Sequence, residues 1–436
     1  MSDPFEPYAN LFANPAGPGD ARPTAIEVIQ DNDLINKWIG KTLLITGATS
    51  GIGIETAKAL FATGADIFIT ARDLKKGQAV IDTIAKSSAG KGKLEVIEMN
   101  MTSLESVKRA AKSFLALSSK LNILINNAGI MAVPELRKTV DGFEQHFGVN
   151  HLAHFTLTTL LLPTLIKSST PSFNSRVISV TSAGHGFSTV HFDDINLTHN
   201  YNQWIAYGQS KTANIWLANY IDRIYGPRGV HANAVHPGGI VTPLYQHITE
   251  EQMQQFSANT TMMTNMKSPE QGAATTTWAA VADVWEGNGG KYLADCAVGK
   301  PAVNAQALED EGAAPHAYDV EEETRLWELS LKLTSVKTDS QALGDKYSAF
   351  KSDFAGFVGS FSAWAKPKVE SENAKLKKLE EELKGMQQTL NNWATALHWS
   401  AGTMVVGGIV AVGVLALRPV GWPLLILGGL GALALA

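Results

Sequence analysis

Tyr207 and Lys211 stand four positions apart in YGQSK. Residues i and i+4 meet on one face of a helix, so a phenol and an ammonium at this spacing can share a site. A phenol with a pKa of about 10 is a poor proton-transfer group at neutral pH. A cation one helical turn away favours phenolate and brings the pair toward the working range. Together they could exchange a proton with the oxygen of a carbonyl or an alcohol. Such spacing is common on any helix, so the reading requires a cofactor site and a means of holding the substrate oxygen. His185 and His236 lack a His or Cys partner at ligand spacing, so structural roles are expected of them and no metal site.

A phosphate-binding loop meets the first requirement. TLLIT (42–46) runs into GATSGIG and then into the helical pattern IETAKALFATG. Gly47, Gly51 and Gly53 let the backbone turn and approach a pyrophosphate, with Ser50 and Ile52 in the same turn and a helix N-terminus facing the charge. The spacing G-x-x-x-G-x-G differs from the commoner G-x-G-x-x-G. After DIFIT (66–70) comes Arg72, whose guanidinium fork suits a ribose 2′-phosphate, whereas a carboxylate at the strand end would bind the ribose hydroxyls. NADP(H) is therefore the expected cofactor.

These residues need a scaffold, and the hydrophobic pattern specifies one. The runs TLLIT, DIFIT, LEVIEM (94–99), NILIN (122–126), RVISVTS (176–182), HANAVHPG (231–238) and KYLAD (291–295) alternate with helical stretches. Short, nearly continuous apolar strands separated by helices predict a doubly wound parallel sheet, the Rossmann fold. Thirty-six basic against 41 acidic side chains leave a net charge of −5, which gives no electrostatic footprint for nucleic acid. The single cysteine, Cys296, excludes an intrachain disulfide and fits a reducing compartment. Acids and prolines at the N-terminus replace the basic and apolar runs of a signal peptide.

In this order the motifs resemble the short-chain dehydrogenase/reductase family over about residues 40–300. TGATSGIG is similar to the family's cofactor loop, and Asn126-Asn127-Ala128-Gly129 to the motif after its fourth strand, where Asn127, Ala128 and Gly129 would touch the cofactor. Asn150 in FGVNHLAHF, Ser182 closing RVISVTS, and Tyr207 with Lys211 resemble the catalytic set. Pro237-Gly238-Gly239-Ile240-Val241-Thr242 resembles the segment that receives the nicotinamide carboxamide, through Pro237, Gly238, Ile240 and Thr242. Arg72, NNAGIM and VTSAGH are most similar to the retinol-dehydrogenase-like branch. One departure is Asn100-Met101, where that branch has Asp-Leu beside the adenine, so a weaker contact is expected there.

The resemblance implies roles. Ser182 would hydrogen-bond the substrate oxygen, and Tyr207 would protonate it in reduction. Lys211 would charge Tyr207 and hold the nicotinamide ribose, while Asn150 would link Lys211 to a water chain. The implied activity is hydride transfer between NADP(H) and a carbonyl or alcohol. The segment from Leu244 to Asn265 is where the family shapes its substrate lid; Leu244, Tyr245, Met253, Phe256, Met262, Met263 and Met266 there and just beyond suit a lipophilic substrate.

The resemblance does not reach the tail. Leu343, Tyr347, Phe350, Phe354, Phe357, Phe361 and Trp364 form one helical stripe. Leu376, Leu379, Leu383, Met386, Leu390, Trp393 and Leu397 then repeat like a coiled coil. AGTMVVGGIVAVGVLAL (401–417) and VGWPLLILGGLGALALA (420–436) carry no charge, predicting a membrane hairpin or two short transmembrane helices. The expected organisation is a leader (1–40), a dehydrogenase domain (41–337), amphipathic and coiled-coil helices (338–398) and a membrane segment (399–436). The catalytic domain is expected on the cytosolic face of the endoplasmic reticulum or a lipid droplet. Two routes to a homo-oligomer are open, through that domain or the coiled coil. A competing reading is a dinucleotide-binding scaffold recruiting partners through the coiled coil; a complete catalytic set argues against it.

Overall fold

The computed structural model describes residues 3–336, 373–400, 410–415 and 424–429. Seven strands match the expected runs, none beginning or ending more than one residue outside them: β1 (Thr42–Ile45), β2 (Asp66–Ala71), β3 (Leu94–Glu98), β4 (Ile123–Asn126), β5 (Ser175–Val180), β6 (Val230–Val235) and β7 (Tyr292–Ala294). They pair in parallel in the order β3-β2-β1-β4-β5-β6-β7, and β8 (Ala297–Val298) adds an antiparallel edge. β8 lies outside the expected runs: it is a two-residue strand reached through Asp295 and Cys296, both in the left-handed region.

Strand alternation divides the core between two faces. Leu43, Ile45, Ile67, Ile69, Ile123 and Ile125 point to one face. There they meet α3 (Ile52–Phe61), α4 (Leu74–Ser87) and α11 (Ala274–Val281). Leu44, Phe68 and Leu124 point to the other face, packing with α5 (Leu104–Leu117), α6 (Ala153–Ser168) and α7 (Gln203–Tyr225). The helix α12 (Val320–Thr334) closes this second layer, with Trp327 stacked on Tyr220 at 4.3 Å.

The first 40 residues pack on this fold rather than trailing from it. Short helix α1 (Ala9–Phe12) precedes α2 (Ala25–Asp31), which starts with a Thr24–Glu27 capping box. Tyr8, Val28, Ile29 and Trp38 join the core on the α3 side. Cys296 is also buried there, and burial pushes its thiol up to about 12.

The chain divides into two compact units, Met1–Asp339 and Ser340–Ala436. In the second, Asn373–Ser400 is a continuous 28-residue helix. The aromatic stripe from Leu343 to Trp364 lies outside the described residues. In the last segment, where a membrane hairpin or two short transmembrane helices are expected, two short stretches are described. Val410–Leu415 and Leu424–Gly429 are strands, paired antiparallel. Alternating Val410, Val412 and Val414 favour extended backbone, and Gly413, Gly428 and Gly429 disfavour helix. Among the described residues, Phe147–Ser168 is long and apolar enough to span a membrane, but most of it is buried in the protein core.

Candidate active site

A cleft of about 550 Å³ opens beyond the carboxyl ends of neighbouring β1 and β4, the point at which the strand order reverses. Gly47, Ser50, Gly51, Ile52 and Gly53 line one part of it. Gly47 has φ of +68°, and a Cβ there would lie 2.6 Å from the Ala128 Cα, so both backbone and space require glycine. Asn127, Ala128 and Gly129 form the facing wall; Asn127 Nδ2 donates to the Thr46 carbonyl at 2.9 Å. The Asn127 Oδ1 is buried with no hydrogen-bond partner. A glycine cradle at a helix N-terminus and an orphan acceptor beside it fit a dinucleotide.

Arg72, Asn100 and Met101, expected at the adenosine, also line the cleft, with Lys76 as a second cation there that no motif contains. Asp73 caps α4, accepting from Lys75 N at 2.8 Å and Lys76 N at 3.2 Å, which commits its carboxylate to the helix. Asn100 Oδ1 accepts from Thr102 N and Oγ1 at 3.1 and 2.9 Å. Its acceptor is thus spent on a turn, leaving its amide as a donor. Pro237, Gly238, Ile240 and Thr242 line the opposite end.

Ser182, Tyr207 and Lys211 converge in the same cleft. Ser182 leaves the end of β5, and Tyr207 and Lys211 lie one turn apart on buried α7. Lys211 Nζ donates to the Val180 carbonyl at 3.2 Å and lies 5.6 Å from the Tyr207 ring centre. Asn150 does not line the cleft but stands behind it, in a π-helical turn (Phe147–Leu152) that leads into α6. Its Oδ1 accepts from Ile130 N at 2.9 Å, and its Nδ2 donates to Ile130 O at 3.0 Å and Ser210 Oγ at 2.9 Å. A Cβ on Gly129 would sit 3.3 Å from Asn150 Oδ1 and 3.5 Å from Lys211 Nζ, so glycine leaves the space between them open.

The electrostatics differ from the simple expectation of a cation drawing the phenol down. Burial pushes Tyr207 above its ordinary range, with the Ser182 hydroxyl opposing. Burial also pulls Lys211 down to about 8, weakening the cation meant to compensate. The phenol is therefore held protonated, the form that can give a proton to a carbonyl oxygen.

His154, to which the motifs assign no role, supports the site. His154 Nδ1 donates to the Asn150 carbonyl at 2.8 Å, and its Nε2 accepts from Thr46 Oγ1 at 2.8 Å. Thr46 Oγ1 in turn accepts from Asn127 N and Ala128 N, both at 2.9 Å. One neutral imidazole thus ties the cofactor loop to the turn of Asn150. Burial pulls His154 down to about 4, consistent with that tautomer.

His236 lines the cleft; its Nδ1 accepts from Ala183 N at 3.1 Å, and its Nε2 lies 3.6 Å from Glu311 Oε1. Half-buried Glu311 also faces Lys267 at 3.9 Å. Burial alone would raise the Glu311 carboxyl, but Lys267 and His236 hold it below the usual range. His185 donates from Nδ1 to the Ser182 carbonyl at 2.7 Å and accepts at Nε2 from Ala314 N at 2.9 Å. Both histidines therefore tether the Ser182 turn. Among the described residues no His, Cys, Asp and Glu group is arranged to hold a metal.

An apolar cluster borders the cleft, beside Arg137, Gln145, Gln246 and His247. Met131, Ala132 and Tyr207 form a small cluster against Trp204, Leu244, Tyr245 and Ile248. The lid comprises α8 (Glu250–Ala258) and α9 (Thr260–Asn265), and Phe256 and Met262 reach the cleft from it. Met253 and Met263 do not line it; Met266 is buried, with its Sδ against Gly239.

A family model described as short chain dehydrogenase matches residues 41–253. The chain is 47% identical over 329 residues to the short-chain dehydrogenase/reductase prx1 of Penicillium roqueforti, covering 76% of this chain and 95% of that protein. It is 36% identical over 300 residues to retinol dehydrogenase 11 of Homo sapiens, covering 69% and 87%. Among solved structures, an uncharacterized protein from Mycobacterium paratuberculosis superposes with a TM-score of 0.52 at 32% identity, covering 70% of this chain and 97% of the other.

Proposed function

The chain belongs to the short-chain dehydrogenase/reductase family, with a retinol-dehydrogenase-like relationship, and from that premise we propose an NADP(H)-dependent oxidoreductase that interconverts a lipophilic carbonyl compound and its alcohol. The observation that carries this reading is the convergence of Ser182, Tyr207 and Lys211 in a glycine-cradled cleft bordered by an apolar cluster. The relative named for retinol, an apolar alcohol, supports the same substrate class.

Gly47, Gly51 and Gly53 would hold the pyrophosphate, and Arg72 with Lys76 a 2′-phosphate. Lys211 would bind the nicotinamide ribose, and Pro237 to Thr242 the carboxamide end. The nicotinamide, when bound, supplies or takes the hydride. Ser182 Oγ donates to the substrate oxygen and fixes its position, and Tyr207 gives that oxygen its proton in reduction. Gly129 leaves open the space between Asn150 and Lys211, through which Lys211 would recover a proton from solvent. A scaffold that only bound dinucleotide would have no use for this set.

The uncharged runs after Ser400 support membrane attachment, with the dehydrogenase domain (41–337) on the cytosolic face of the endoplasmic reticulum or a lipid droplet. The Leu heptads of Asn373–Ser400 support self-association as a coiled coil. The deciding assay is NADPH oxidation by the full chain across retinoid, steroid and small carbonyls, with the Tyr207→Phe protein as control. Absence of turnover with every carbonyl, alongside tight NADPH binding, would favour the scaffold.

A further inference from the structure

The lid over the apolar cluster has little of its own to hold it. No residue of α8 or α9 is buried, so neither helix is fixed by a core face. Its leading end packs through Leu244, Tyr245 and Ile248 on the Tyr207 cluster. Its trailing end is fastened by Arg22, whose side chain is 2% exposed.

Arg22 Nη1 donates to Asn265 O at 2.8 Å, and Nη2 donates to Met266 O at 2.6 Å and Gly17 O at 3.1 Å. These acceptors include carbonyls at the C-terminus of α9, which a helix leaves without partners. Asp20 orients the guanidinium through Nε at 2.8 Å. Gln271 then stitches the same N-terminal segment to α10 (Pro269–Gly272), donating to Asp20 O at 3.1 Å and Arg22 O at 3.2 Å while accepting from Gly19 N at 2.9 Å. Between these two attachments lies Lys267, whose N donates to Gly239 O at 2.8 Å and whose Nζ donates to Pro237 O at 3.4 Å. Asp295 and Glu311 hold that ammonium in place at 2.5 and 3.9 Å.

We propose that the segment Gly17–Arg22 is a clamp for the substrate lid, with Arg22 as a positioning residue that sets where Phe256 and Met262 stand over the cleft. The proposal rests on the reading of this cleft as a substrate site. A forked guanidinium is required because several carbonyls in different directions must be met at once; a lysine ammonium would satisfy fewer of them. The clamp lies before residue 41, outside the matched family region. It gives the N-terminal segment a part in substrate binding without contact with substrate.

The test uses the full chain carrying Arg22→Ala, with Arg22→Lys and Asp20→Asn as milder variants. Amide exchange in 250–266 should accelerate by about tenfold or more in Arg22→Ala while α3 and α6 keep their protection. KM for the carbonyl substrate should rise roughly five- to twentyfold with kcat within about threefold, and NADPH affinity should stay within about threefold. Arg22→Lys should restore part of both effects. Unchanged lid exchange, or exchange raised equally throughout the protein, would overturn the clamp. If no carbonyl is turned over at all, lid exchange still decides the clamp, so the two readings fail separately.

Discussion

Tyr207 carries the proton in the proposed chemistry, and the side chains around it set what its loss should do. Tyr207→Phe should abolish turnover while NADPH binds with near-normal affinity, checked by fluorescence titration; residual activity above a few per cent would remove it from the role of acid. Lys211 makes a different prediction. Its folded pKa is depressed from 10.5 to about 8, so the unfolded chain binds more protons between those values and stability rises with pH across them. Lys211→Met should therefore eliminate turnover yet stabilise the fold by about 1–3 kcal/mol at pH 7, a gain that vanishes toward pH 10.5 in urea melts. Arg72→Ala should cost NADPH about 1.5–3 kcal/mol of binding and leave NADH little changed, because Asp73 is spent capping α4. Equal losses would make Arg72 merely structural. Tyr207, Lys211 and Gly47 were legible because their chemistry demands a residue type at short spacing. His154 and Glu311 were not, because their partners lie far away along the chain: Thr46 is 108 positions from His154.

The elements that place these groups are held together by few and specific links. The π-helical turn of Asn150 and the loop of Asn127 belong to different layers, and His154 joins them through Thr46. His154→Leu fills the volume but leaves the Thr46 hydroxyl and the Asn150 carbonyl without their partner. A loss of about 2–4 kcal/mol is expected, with weaker NADPH binding, and a change under about 0.5 kcal/mol would show the link to be dispensable. Strands β1 to β7 could be read from apolar runs since both sheet faces are covered, which leaves a strong compositional mark. The edge strand β8 left none, being two residues long. The packing of α1 and α2 was hidden for another reason. A proline- and glycine-rich segment looks like a tether, and nothing local shows that Tyr8 and Trp38 find a core.

Across the whole first unit, three imidazoles are buried neutral: His151, His154 and His185, with burial pulling them down to about 3, 4 and 4. Each would bind a proton near 6.5 once unfolded, so stability is complete above that pH and falls as pH drops toward 4, by up to about 3 kcal/mol apiece. Urea midpoints measured from pH 8 to 4 should decline steeply below 6.5; a flat profile would mean these rings are charged in the fold. For the second unit, deletion after residue 398 should release a soluble enzyme from membranes with catalytic constants for a water-soluble substrate little changed. Persistence of the truncated chain in the alkali-washed membrane pellet would place the attachment elsewhere. Cys296 offers a way to watch the sheet edge directly. Its thiol is fully buried at the turn into β8, pushed up to about 12, and has no second cysteine to confuse the signal. A maleimide dye added to the native enzyme can react only when that corner opens. The labelling rate thus becomes a stopwatch for local unfolding at the edge strand, read from one atom with no engineered probe.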